Sequence, residues 1–146
     1  MDLKEHLNRK LNEARSSVVT YVNDHVIRFN RMEFLGSDWE DYADENDLDE
    51  YYDQLEVEID YNNNQFKCRM EDLSTNTFTS TITFLFTSDK ALNDLYKENK
   101  DLNARDLKCI AVRGRGVHGM DPYKSQIEEL TDLLVWLFNN SPEPLF

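Results

Sequence analysis

Leu55 to Tyr61, LEVEIDY, alternates apolar and acidic residues, the two-residue period of a half-buried strand. Asn62-Asn63-Asn64 follows, a turn built from residues that tolerate positive φ. Gln65 to Met70, QFKCRM, then returns with Phe66, Cys68 and Met70 on one face and Lys67 and Arg69 on the other. Those two bases are expected opposite Glu56, Glu58 or Asp60 across the ladder. Thr77 to Thr87 predicts a third strand, with Phe78, Ile82, Phe84 and Phe86 on one face, and the apolar run Leu107 to Val112 predicts a buried fourth. The pattern implies an antiparallel meander.

Helices are expected around it. Leu3, Leu7, Leu11, Ala14, Val18, Val22 (or Tyr21), Val26 and Phe29 fall at three- and four-residue steps, which predicts a long amphipathic helix from residue 2 to about residue 30. The β-branched run Val18-Val19-Thr20 weakens that helix from within. Gly36-Ser37 is expected to end it, with Ser37 capping a second helix and Glu40 at the capping-box position. Ser88 or Asp89 is expected to cap a short helix near Lys90 to Asn99. Asp121 and Pro122 are expected to open a last helix that runs to about Asn140 on Ile127, Leu130, Leu133, Leu134, Leu137 and Phe138. The expectation is a single α+β domain over residues 1–146, with about four strands packed by the first and last helices.

Charge is distributed very unevenly. Asp38 to Asp60 holds twelve carboxylates and no Lys or Arg, while the remainder carries 17 acids against 16 bases. Nearly all of the net charge of -13 therefore sits in this one belt. Trp39, Tyr42, Leu48, Tyr51, Tyr52 and Leu55 lie within it, which predicts short helices or ordered turns anchored on the domain. A charge of this sign disfavours nucleic acid and anionic membranes as direct partners and favours a basic protein or a cation. The N-terminus lacks the apolar core of a signal peptide and no apolar run is long enough to span a bilayer, so a soluble, cytoplasmic protein is expected. Cys68 and Cys109 both fall in predicted strands, where buried free thiols are expected; a disulfide would require adjacent strands.

The belt admits several functions. The plainest is a solvated, solubilising face. A second is mimicry of a nucleic-acid backbone: as one continuous helix the belt would be about 34 Å long, with one carboxylate per roughly 3 Å, close to the phosphate spacing of a DNA strand. Contact would then run through Asp38, Trp39, Glu40, Asp41, Tyr42, Asp44, Glu45, Asp47, Asp49, Glu50, Tyr52 and Asp53, with the aromatics at the interface core. Calcium binding fails on spacing, because an EF-hand loop opened at Asp47 has Tyr51 and Tyr52 at its fifth and sixth positions. A catalytic carboxylate pair has no His, Ser or Cys beside it to complete a unit. No catalytic residue, cofactor or metal ligand is expected.

Arg113-Gly114-Arg115-Gly116-Val117-His118-Gly119 is the other feature with chemical content. It matches G-x-G-x-x-G between a predicted strand and a predicted helix, yet no further strand follows to complete a dinucleotide-binding unit. Arg113, Arg115 and His118, with Gly114 and Gly116, are candidate residues for a phosphate or nucleotide site; a bare connecting loop and an internal dock for the belt are the other readings.

In size, charge and belt the chain resembles the small acidic inhibitors that phages use against restriction, CRISPR or host nucleic-acid enzymes. The resemblance implies a non-enzymatic inhibitor of a basic nuclease or other nucleic-acid-binding enzyme, acting as monomer or homodimer. The alternatives are a small phosphorylated-ligand binder and an immunity protein for a basic toxin.

Overall fold

The computed structural model describes residues 19–72 and 80–140. Six strands form one antiparallel sheet in the order of the chain, β1 Val19–Asn23, β2 Val26–Phe29, β3 Glu56–Asp60, β4 Gln65–Asp72, β5 Ser80–Ser88 and β6 Leu107–Arg113. Among the described residues three α-helices accompany it, α1 Ser37–Glu45, α2 Leu92–Lys97 and α3 Lys124–Asn140. The domain is α+β as expected, with two more strands than the periodicity implied.

Both extra strands come from the segment expected to be helical. Residues 19–23 and 26–29 pair as a hairpin, Val19 opposite Phe29 and Tyr21 opposite Ile27. The β-branched residues on either side of Asn23-Asp24 favour extended backbone, and the His25 N–H donates to the Asn23 side chain at 2.8 Å to close the turn. Val19, Ile27 and Phe29 are thereby buried, a period of two in place of the helical stripe. The remaining part of the expected helix, with Leu3, Leu7, Leu11, Ala14 and Val18, lies outside the described residues, as does Phe78.

The later elements follow the expected pattern. Val57 faces Cys68 and Ile59 faces Phe66 on the buried side, and Phe66 faces Phe86 in turn. Asp60 accepts the N–H groups of Asn62 and Asn63, both at 3.1 Å, and so shapes the β3–β4 turn; Asn64 completes it at φ 56°. α3 covers this face with Leu130, Leu133, Leu134, Leu137 and Phe138, the last in ring contact with Tyr61 and Phe66. Cys68 and Cys109 are free and buried, on strands separated by β5. The opposite face carries Arg28, Glu58 and Lys67 as successive cross-strand neighbours, and Arg69 lies 3.8 Å from Glu56. Register irregularities occur in β1 and between β5 and β6, at the two edges of the sheet, where such kinks discourage pairing with other chains.

Helix starts differ from the sequence expectation. Ser37 is the first residue of α1, whose N-cap is Gly36 at φ 73°, so Ser37 caps nothing. α2 starts after Ala91, and the N–H of its buried first residue, Leu92, donates to the Asn64 side chain in the β3–β4 turn at 2.9 Å, a cap supplied from elsewhere in the chain. Asp121 and Pro122 open a single 3-10 turn, Asp121–Tyr123, with Met120 as its N-cap, before α3 begins.

Candidate acidic interaction face

Belt residues 38–55 lie in the connection between β2 and β3, neighbours in the sheet, and residues 56–60 are β3 itself. The base of the connection is closed by the Met32 N–H donating to the Leu55 carbonyl at 3.1 Å. Between those points run a 3-10 turn at Met32–Leu35, then α1, then a second 3-10 turn at Glu50–Gln54. The excursion is held down by its apolar residues: Met32, Leu35, Trp39, Tyr52 and Leu55 are all at most 1 % exposed. Trp39 Nε1 donates to Asp53 at 2.7 Å and ties α1 to the second turn.

This arrangement divides the twelve carboxylates into two groups. Glu56, Glu58 and Asp60 belong to β3 and are used within the fold: Glu58 takes Arg28 at 2.7 Å, Glu56 takes the same guanidinium at 3.0 Å, and Asp60 organises its turn. Asp53 is occupied by Trp39. The other eight, Asp38, Glu40, Asp41, Asp44, Glu45, Asp47, Asp49 and Glu50, lie on α1 and the segment after it. All but Asp38 are exposed, and none forms an ion pair among the described residues.

A single acidic helix is thus not what forms. The belt folds as the expected short helix and turns: α1 has nine residues and a length of about 13 Å, so the even linear spacing that one continuous helix would give is absent. Asn46 ends α1 by donating its amide to the Tyr42 carbonyl at 2.8 Å. Asp47 follows at φ 52°, and the Leu48 N–H reaches back to the Ala43 carbonyl at 3.0 Å. That closure usually has Gly in the left-handed position; here it displays one more carboxylate.

Trp39 and Tyr52, expected at a contact surface, are instead core residues. Tyr42 keeps a partly exposed ring and stacks on Trp136 of α3 with centroids 4.5 Å apart. This contact sets α1 beside α3, and between them lies an open groove of about 340 Å³. Tyr42, Asn46 and Leu48 line one side, and Ser125, Glu128, Glu129 and Asp132 the other. The acids of α3 were not anticipated from the sequence. Burial, helped by the nearby Asp132 carboxylate, pushes the Tyr42 phenol up to about 12, so it stays neutral at physiological pH. Burial also raises Tyr52, with Glu129 adding to the effect.

Arg113 is the last residue of β6, and Gly114, Arg115, Gly116 and His118 continue as an exposed turn. Gly116 and Gly119 hold φ 80° and 88°. A Cβ on Gly114 would meet the Thr81 carbonyl at 3.1 Å, so this glycine lets the loop pass close over β5. The loop residues line neither the α1–α3 groove nor the shallow one beside Gln54, Glu56, Arg69, Met70 and Thr81. Arg113 forms no ion pair with the belt among the described residues. Among them, too, no three His, Cys, Asp or Glu side chains converge to hold a metal ion, and no helix is long and apolar enough to cross a membrane. Comparison with known proteins returns no match, neither a family model nor a curated protein nor a solved structure.

Proposed function

We propose that the protein is a non-enzymatic inhibitor that binds a basic, nucleic-acid-handling protein through the face formed by α1, the segment after it and α3. One observation carries this reading: Asp38 and Glu40 suit the first turn of α1, but the carboxylates of its second half work against the helix that bears them. Asp44 and Glu45 lie at its C-terminal end, where the helix dipole disfavours negative charge. Glu40 and Asp44, and Asp41 and Glu45, are like charges at helical (i, i+4) spacing with no intervening base. Solubility alone would be served by acids anywhere on the surface. A dense field at this one place is explained by a partner that neutralises it.

The two-helix face offers carboxylates over an area instead of along one line. It would compete with nucleic acid for a Lys- and Arg-lined groove by charge and by desolvated aromatic contact, without copying the spacing of phosphates. An immunity protein for a basic toxin would use the same face.

The test is capture of partners from host lysate at low and high salt, using the native chain and a variant with Glu40→Gln, Asp41→Asn, Asp44→Asn and Glu45→Gln. A dominant nucleic-acid-binding protein, retained at low salt by the native chain and lost by the variant, is expected. Equal capture by both would remove the acidic face from the mechanism.

A further inference from the structure

Resting on that reading, we infer that the groove between α1 and α3 is an anchor site for an arginine side chain of the basic partner. The groove is a docking surface with two chemically different walls. One wall is the Tyr42 ring with Leu48 beside it; the other is the acidic side of α3.

Each wall suits one part of an arginine. Glu128 and Asp132 are one helical turn apart, so their side chains leave α3 in the same direction, about 5–6 Å apart at Cβ. Two carboxylates so placed can accept the divergent N–H groups of one guanidinium. The half-buried Tyr42 ring, fixed by its stacking on Trp136 at 4.5 Å and on Trp39 at 6.1 Å, offers its groove-lining aromatic surface to the cation. Leu48 gives the aliphatic stem an apolar contact. Lysine would satisfy the charge but gain less from the ring, because its ammonium is compact, strongly hydrated and cannot lie flat against it. The occupant favoured by the walls is therefore arginine, and the charge complementarity of the whole face brings it there.

The experiment compares an arginine homopeptide with a lysine homopeptide of equal length by calorimetry, with amide chemical shifts reporting where each binds. The native protein should bind the arginine peptide about threefold tighter or more, the gain expected of a cation–π contact at an accessible site. Shifts should centre on α1 and α3. Tyr42→Leu should abolish the preference while both peptides still bind in a salt-dependent way. Because Tyr42 is packed on Trp136, Glu128→Gln with Asp132→Asn serves as a second variant at exposed positions and should reduce the preference without touching the core. Equal affinities in the native protein would overturn the arginine site and leave the broader acidic-face reading standing. Failure of both peptides to bind would overturn both. A preference that survives in both variants would locate the arginine contact elsewhere and overturn the assignment to this groove.

Discussion

Cys68 lies wholly inside the sheet's buried face, and burial raises its thiol pKa well above the ordinary range; Cys109 shifts the same way for the same reason. The unfolded chain releases these protons near pH 8.5, roughly the ordinary thiol value, while the native state retains them. Above that pH the unfolded state binds fewer protons than the native state, so stability falls as pH rises. Cys68 contributes a slope approaching about 1.4 kcal/mol per pH unit above the unfolded thiol pKa, and Cys109 adds in the same direction. The urea midpoint should therefore drop between about pH 7.5 and pH 10. Cys68→Ala should be less stable throughout but fall less steeply, and an unchanged slope would remove Cys68 from the effect. A second residue-scale prediction concerns Trp39, whose indole N–H meets Asp53 at 2.7 Å. Trp39→Phe keeps a ring in the core but leaves the Asp53 carboxylate without that donor, and should cost about 1.5–3 kcal/mol in urea denaturation, as for hydrogen bonds to charged groups. A loss well under 1 kcal/mol would mean that water replaces the indole at no cost.

The elements differ in how plainly the sequence announces them. β3, β4, β5 and β6 were legible because their alternating or continuous apolar runs are bounded by Asn, Ser or Gly punctuation. β1 and β2 were not, because Val18, Val22, Val26 and Phe29 satisfy a helical period while Val19, Tyr21, Ile27 and Phe29 satisfy a strand period. Packing decides between them: the extended form adds two strands to the sheet and buries Ile27 and Phe29 completely. Caps were equally ambiguous, since Asn64 serves α2 from a distant turn that local sequence cannot reveal. Two predictions belong to α1. Gly36 has φ 73° and ψ -142°, a region that residues with a Cβ avoid, so Gly36→Ala should destabilise the protein by about 1–3 kcal/mol. Glu45→Lys places a cation at the helix C-terminus and relieves repulsion with Asp41, so it should raise stability by about 0.3–1 kcal/mol while weakening partner capture. Stability and capture rising together would mean that Glu45 does not face the partner.

Across the whole molecule, the acidic belt was legible as composition but not as a surface. Counting carboxylates along the chain treated all twelve alike, whereas the fold assigns Glu56, Glu58 and Asp60 to the sheet and Asp53 to Trp39. It then adds Glu128, Glu129 and Asp132, which lie far along the chain and come beside α1 through the ring contacts of Tyr42 and Trp39 with Trp136. The polar side of the last helix held a signal: its acids follow Lys124 with no further base before the helix ends. Among the described residues, Arg and Glu are paired on the sheet face opposite α3, while the carboxylates along α1 form no ion pair. The most direct measurement is displacement: immobilise the protein, load its captured partner at low salt, and add double-stranded DNA or RNA. The account predicts that nucleic acid releases the partner in a concentration-dependent way, because both ligands contend for one basic groove. A partner that stays bound under saturating nucleic acid would contradict it.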